Sequence, residues 1–257
     1  MDLSVVVPVK NEQDNILPLL AEIHAALEGR YEYEVIYVDD GSDDASPRVL
    51  DEGRAKYPRL RVLRHARSCG QSTAVRTGAK AARAPWIATL DGDGQNDPAD
   101  IPKLMALVQA ADCPAALKLV AGWRKKRRDT WIKRVSSKIA NSVRRGMLRD
   151  DTPDTGCGLK LFRRDLFLEL PYFDHMHRYL PALVLRAGGQ VRSVEVHHRH
   201  RERGVSKYGL HNRLWVGIVD LFGVSWLQRR ARLPVVSEIG AAGEKVTSLQ
   251  REGAYGS

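Results

Sequence analysis

The sequence predicts an α/β protein with a mainly parallel sheet flanked by helices, and three observations carry that reading. Short apolar runs rich in β-branched residues alternate with stretches of helical periodicity, the pattern of βαβ units. Acidic or polar groups follow successive runs: Glu12 after Leu3 to Pro8, Asp39 and Asp40 closing Glu34 to Asp40, and Asp91 and Asp93 after Trp86 to Leu90. In an open parallel sheet such tips share the edge where ligands bind, so three of them facing one crevice predict a site.

Leu3 to Pro8 (LSVVVP) reads as a buried parallel strand, with Lys10, Asn11 and Glu12 at its tip. Ile16, Leu19, Leu20, Ile23 and Leu27 recur at helical spacing and predict a helix from about Asn15 to Leu27. A second strand, Glu34 to Asp40, ends in Asp39-Asp40-Gly41-Ser42, and Asp43 or Asp44 with Pro47 signals the next helix start. Leu60 to Leu63 is a short third strand. Gly70-Gln71-Ser72-Thr73 opens a helix of small residues through Ala82, whose first N–H groups and Arg76 suit an anion. After the strand Trp86 to Leu90, Asp97-Pro98 caps a helix to about Ala110, and Leu117 to Ala121 is a further strand ending at Gly122-Trp123-Arg124.

Beyond Arg124 the chain turns basic. Arg124 to Arg128, Lys133 and Arg134 lead into a predicted helix from Trp131 to Leu148; the run reads equally as a solvated face. Asp154 to Gly158 is a loop entering a strand that begins near Leu159 and Lys160. A helix near Arg178 to Ala187 and a strand near Val191 to Val196 follow, then a polar loop from His197 to Gly209 with Arg199, Arg201, Arg203, Ser206 and Lys207. The histidines of that loop lack acidic or cysteine partners at ligand spacing, so it reads as basic, not as a metal site.

Leu214 to Leu227 is the most apolar stretch, but its fourteen residues, one of them Asp220, fall short of the roughly 20 needed to span a bilayer. Trp215 and Trp226 near its ends, with Arg213, Arg229, Arg230 and Arg232 outside them, suit an amphipathic helix lying in a membrane interface; a core helix is the alternative. The expected organisation is a catalytic domain over 1–209, a membrane-associating helix over 210–235 and a disordered Gly-rich tail over 236–257.

The 257 residues suffice for one large α/β domain with an appendage. A net charge of +10 points to an anionic partner: nucleic acid, a membrane surface or a phosphorylated ligand. Cys69, Cys113 and Cys157 are far apart with no CxxC, which argues against a disulfide framework or zinc site and fits a reducing cytoplasm. Met1-Asp2-Leu3-Ser4 runs straight into a strand, so no signal peptide is expected.

Leu90-Asp91-Gly92-Asp93-Gly94-Gln95 is the focus of the chemistry. Two carboxylates one residue apart at a strand tip repel unless a cation lies between them. Asp91, Asp93 and the amide oxygen of Gln95 are hard oxygen donors suited to Mg²⁺ or Mn²⁺. An EF-hand would require Gly at Asn96 and Glu at Pro102, and a dinucleotide fingerprint fails at Asp97. A solvated acidic turn is the remaining plain reading.

Four motifs in order, PVKNE (Pro8 to Glu12), VDDGSDD (Val38 to Asp44), LDGDGQNDP (Leu90 to Pro98) and RERGVSK (Arg201 to Lys207), resemble those of the family-2 glycosyltransferases, dolichol- or polyprenyl-phosphate mannosyltransferase branch. The resemblance covers about Leu3 to Gly209. It implies a GT-A, Rossmann-like sheet with the nucleotide over the first strands. It places Pro8, Lys10, Glu12 and Asp40 at the nucleoside, and Asp91, Asp93 and Gln95 at the metal and diphosphate. Arg124, Arg134, Arg201, Ser206 and Lys207 would bind phosphate, with Gly92, Arg76, Asp154 and Lys160 as further substrate contacts. Asp91, Asp93, Arg124 and Arg201 are the candidate catalytic set. Two departures stand out: Gln71 occupies a position where Lys is common, and the C-terminal transmembrane helices of many relatives are represented only by the run at Leu214. The QxxRW signature of processive synthases is absent, which favours transfer of a single sugar.

The implied reaction is inverting transfer from a nucleotide-diphosphate sugar (GDP-mannose or a UDP-sugar) to a polyprenyl phosphate. Its setting would be the cytoplasmic face of a membrane, reached directly or through a membrane-protein partner. A soluble hydroxyl acceptor is the alternative and would need a carboxylate base, Asp154 being the candidate. A nucleic-acid-binding module is disfavoured, because no recognition motif is present and the acids cluster where a phosphate backbone would lie.

Overall fold

The computed structural model describes residues 1–124, 143–199, 210–234, 236–239 and 245–249; of 210–215 and the last two segments it describes the backbone. Arg134, Arg201, Ser206 and Lys207 lie outside the described residues.

The sheet has seven strands in the order β3-β2-β1-β4-β6-β5-β7: β1 (Leu3–Val9), β2 (Tyr33–Asp39), β3 (Leu60–Arg64), β4 (Trp86–Thr89), β5 (Leu117–Trp123), β6 (Lys160–Arg163) and β7 (Gln190–Glu195). All run in one direction except β6, which is antiparallel to both β4 and β5. The mainly parallel sheet is therefore as the sequence predicts. Its polarity reversal is not legible there, because a single apolar run of four residues carries no direction. The order reverses between β1 and β4, which is the switch point where a crevice opens in doubly wound sheets.

Strict period-two alternation gives each central strand two apolar faces. Val5 and Val7 of β1 join Tyr37, with Ile16, Leu20 and Ile23 of α1 (Gln13–Leu27), Leu50 of α2 (Ser46–Lys56) and Leu104 of α4 (Ile101–Gln109), in one layer. Val6, Ile36 and Val38 point the other way, onto Ala74 and Ala79 of α3 (Gln71–Ala81). That second layer also holds Phe167 of α5 (Arg164–Glu169), Leu183 of α6 (Leu180–Arg186) and Val224 of α7 (Leu210–Arg229). The small residues of α3 let its axis approach β1 and β2 closely. α5 has no counterpart in the sequence reading, since six residues are too few to display a helical period.

α7 packs on the core along one side and leaves the other side exposed. Val224 is buried, Leu221 and Leu227 pack on the second core layer, and Tyr179 Oη donates to the Gly217 carbonyl at 2.8 Å. The opposite side exposes Val219 (67%), Phe222 (63%) and Trp226 (61%), at intervals of three and four residues and thus on one stripe. Among the described residues no helix is long and apolar enough to cross a membrane. Within the described residues of the tail, β8 (Val236–Ile239) pairs antiparallel with β9 (Lys245–Leu249). β-branched Val236, Ile239, Val246 and Thr247, with Gly240 and Gly243 between the strands, supply the hairpin propensity that overall composition concealed.

Candidate active site

The carboxyl edge of the sheet gathers the tips of β1, β2, β4 and β5. Because β6 is reversed, it also gathers the loop that enters it. Lys160 pairs with both Thr89 and Ala121, so Asp154 to Lys160 lies beside the acidic loop after β4. Two glycines permit this approach. A side chain at Gly92 would strike Val9 Cγ1 at 2.5 Å and the Pro8 carbonyl at 2.9 Å, and one at Gly158 would occupy the space of the Asp91 carboxylate and Asn96 Oδ1.

Asp91 is held from several sides. Its Oδ1 accepts from Gln71 Nε2 at 2.8 Å, and its backbone N–H donates to Asn96 Oδ1 at 3.0 Å. Asp93 Oδ1 accepts the Gln95 backbone N–H at 3.1 Å, which folds the loop into a tight turn and brings Gln95 beside the carboxylate. Burial, and next the Asp93 charge, push the Asp91 acid above the usual carboxylate range, while Lys160, Arg124 and the Gln71 amide pull it back. The loop is thus short of positive charge, and its oxygen donors fit a hard divalent cation.

Across the crevice Arg124 grips Asp154 through Nε to Oδ2 at 2.6 Å and Nη2 to Oδ1 at 2.9 Å, and its backbone N–H adds a contact to Oδ2 at 3.3 Å. Lys160 is buried and donates to the Cys157 carbonyl; burial lowers its ammonium pKa. Asp154 therefore orients Arg124, and a role as a base would require breaking a bidentate ion pair.

Asp40 is also committed within the protein. Its carboxylate accepts from His65 Nδ1 (2.7 Å), Ser68 Oγ (2.7 Å), Cys69 N (2.8 Å) and Gly70 N (2.9 Å). Those four bonds use the roughly four lone-pair sites of a carboxylate, so Asp40 shapes the nucleoside end of the crevice by fixing the loop before α3. Pro8, Lys10 and Glu12 stand at the β1 tip; Asn15 Nδ2 donates to Glu12 at 2.7 Å, and the Glu12 N–H donates to Ser46 Oγ at 3.0 Å. Arg76 lies with its guanidinium 4.7 Å from the Tyr172 ring centroid.

The sequence reading assigned no role at the site to several residues that the structure brings to it. Gln71, flagged as a departure, reaches the acidic loop as an amide donor. Asn96 ties that loop to the segment after β7 through a bridge to His198, and Arg199 N–H donates to the Gln95 carbonyl at 3.0 Å. Arg199 also pairs with Glu22 at 2.7 Å and Asp97 at 2.8 Å. His177 and Ser72, 105 residues apart, meet at 2.7 Å, and separation of that kind leaves no local signal.

A switch-point crevice lined by an Asp-Gly-Asp loop and facing an Arg–Asp pair defines a GT-A type of nucleotide-diphosphate site. The chain belongs to glycosyltransferase family 2: residues 4–170 match the Glycosyl transferase family 2 profile. It is 35% identical over 243 residues to the dodecaprenyl-phosphate galacturonate synthase of Rhizobium johnstonii, covering 91% of this chain and 69% of that one. It is 34% identical to the undecaprenyl-phosphate 4-deoxy-4-formamido-L-arabinose transferase of Edwardsiella ictaluri, covering 81% of this chain and 63% of the relative. The fold matches the mannosyltransferase PcManGT from Pyrobaculum calidifontis, solved with GDP-Man and Mn²⁺, at a TM-score of 0.63 and 20% identity over 90% of this chain and 65% of that one. Glucosyl-3-phosphoglycerate synthase from Mycobacterium tuberculosis, solved with Mn²⁺ and UDP, matches at a TM-score of 0.64 and 17% identity over 92% of this chain and 83% of that one.

Proposed function

We propose that this chain transfers one sugar from a nucleoside-diphosphate donor to a polyprenyl phosphate, with inversion, while held peripherally at the cytoplasmic face of a membrane. The observation that carries the acceptor assignment is the Arg124–Asp154 pair. Asp154, the candidate carboxylate base, is engaged in a bidentate ion pair, whereas an oriented guanidinium beside the acidic loop suits an anionic nucleophile. The two relatives named above bear polyprenyl-phosphate transferase names, which supports the same class.

Asp93 and Gln95, with Asp91 behind them, would hold Mg²⁺ or Mn²⁺. Such an ion supplies Lewis-acid stabilisation of the departing diphosphate. A phosphate monoester has a second pKa near ~6, so at neutral pH it is mostly a dianion and needs no proton removed before attack. Arg124 would orient it and balance charge as it approaches the anomeric carbon from the face opposite the diphosphate. Lys160, buried beside Asp91 and donating to the Cys157 carbonyl, is a further candidate contact of the same site. Arg134, Arg201, Ser206 and Lys207 remain candidates for the same phosphate, and Lys10 and Glu12 for the nucleoside.

The reading is tested by incubating the protein and Mn²⁺ with GDP-mannose and a panel of UDP-sugars, each with polyprenyl phosphate or with the dephosphorylated prenol. Transfer only to the phosphate is expected. Asp93→Asn should lower it on the order of 100-fold with the melting temperature unchanged. Equal glycosylation of the prenol, or full transfer in excess chelator, would overturn it.

A further inference from the structure

We infer that His177 is a positioning residue of the donor site, acting through Ser72 to hold the first turn of α3 so that the Gln71 amide meets Asp91. The inference rests on the donor-site reading above. Ser72 is 1% exposed, and its hydroxyl oxygen accepts the His177 backbone N–H at 3.3 Å while lying 2.7 Å from His177 Nδ1. The backbone group can only donate, so the hydroxyl proton is available to Nδ1. The arrangement that pairs every group is a neutral imidazole accepting at Nδ1 and protonated at Nε2. Burial, with Lys160 and Arg178 nearby, holds the ring in that neutral form.

The turn so gripped is where both ends of the crevice meet. Cys69 and Gly70 give their N–H groups to Asp40, and Gln71 gives its amide to Asp91. Thr73 Oγ1 lies 2.5 Å from Tyr172 Oη, so a second hydrogen bond ties the turn to the segment that carries His177. Gln71, Asp91, Lys160 and His177 also line a small, partly open space of about 20 Å³, room for about one water. If the histidine is lost, Gln71 would lose its register on Asp91 without any change to a group touching the substrate.

Two near-isosteres separate this role from simple space filling. In His177→Asn the amide oxygen falls where Nδ1 lies, and in His177→Gln the amide is displaced toward Nε2. The expected result is that His177→Asn keeps the slow hydrogen exchange of the 69–76 segment and binds Mn²⁺–UDP and Mn²⁺–GDP within about 3-fold of wild type. His177→Gln and Ser72→Ala should speed that exchange and weaken nucleotide binding about 10-fold or more, with the KM for polyprenyl phosphate unchanged. Equivalent behaviour of the Asn and Gln variants, or unchanged exchange in Ser72→Ala, overturns the inference. Should His177→Gln not fold, Ser72→Ala decides alone, since it deletes one hydroxyl within a helix. Should wild type transfer no sugar to polyprenyl phosphate while the exchange pattern holds, the acceptor reading fails and the positioning role stands.

Discussion

Asp40 shows how much of the crevice one side chain can organise from within the protein. Two backbone N–H groups, a hydroxyl and an imidazole converge on a carboxylate that is 5% exposed. Burial raises its pKa, but those donors outweigh it and the net shift is downward from the ordinary value. A carboxyl with a depressed folded-state pKa stabilises above its unfolded pKa, near ~4, and that contribution is lost as pH falls through the lower folded value. Asp40→Asn should therefore destabilise the protein by roughly 2–4 kcal/mol at pH 7, because one amide group would face two N–H donors. The gap between the two proteins in denaturant melts should shrink as pH drops below ~4. A constant gap from pH 7 to pH 3 would show that the charge is not what holds the loop.

At the scale of elements, the reversal of β6 is what builds the second wall of the crevice. It brings the 154–160 loop up beside the tip of β4, and Gly158 packs where only hydrogen fits against Asp91 and Asn96. Gly158→Ala should displace the Asp91 carboxylate, with a stability loss of about 1–3 kcal/mol for the overpacking and a loss of transfer on the order of 100-fold. Transfer near the wild-type rate would mean that Asp91 is free to shift. The acidic loop, the strand tips and most helices were legible because each leaves a local trace: a β-branched run, a 3.6-residue period, an N-cap such as Asp97, whose side chain accepts from Ala99 N at 3.0 Å. The direction of β6, the Ser72–His177 contact and the capture of Asp40 and Asp154 by protein partners leave no such trace. They depend on which segments the sheet order makes neighbours, and a lone Asp reads the same whether its lone pairs face a ligand or a backbone amide.

The molecule as a whole must bring a charged, water-facing crevice to a lipid-borne phosphate. Its net charge of +10 attracts it to anionic surfaces, and the exposed Arg229, Arg230 and Arg232 concentrate that attraction at the end of α7. Arg230 lies 5.9 Å from the Trp226 ring centroid, so cation and aromatic adjoin at the border of the stripe formed by Val219, Phe222 and Trp226. Each arginine near a headgroup contributes about 1 kcal/mol, screened over a Debye length of about 8 Å at physiological salt, whereas the apolar contribution is insensitive to screening. High salt should thus weaken binding to anionic vesicles without abolishing it. The triple change Val219→Ser, Phe222→Ser and Trp226→Ser removes exposed groups only, so each should alter stability by about 0.5 kcal/mol or less. It should release the protein from vesicles at high salt and depress transfer to long-chain polyprenyl phosphate more than to a short soluble analogue. If instead the triple variant stays on vesicles in high salt, or loses both activities equally, the stripe is not the membrane contact and attachment must come from a partner protein.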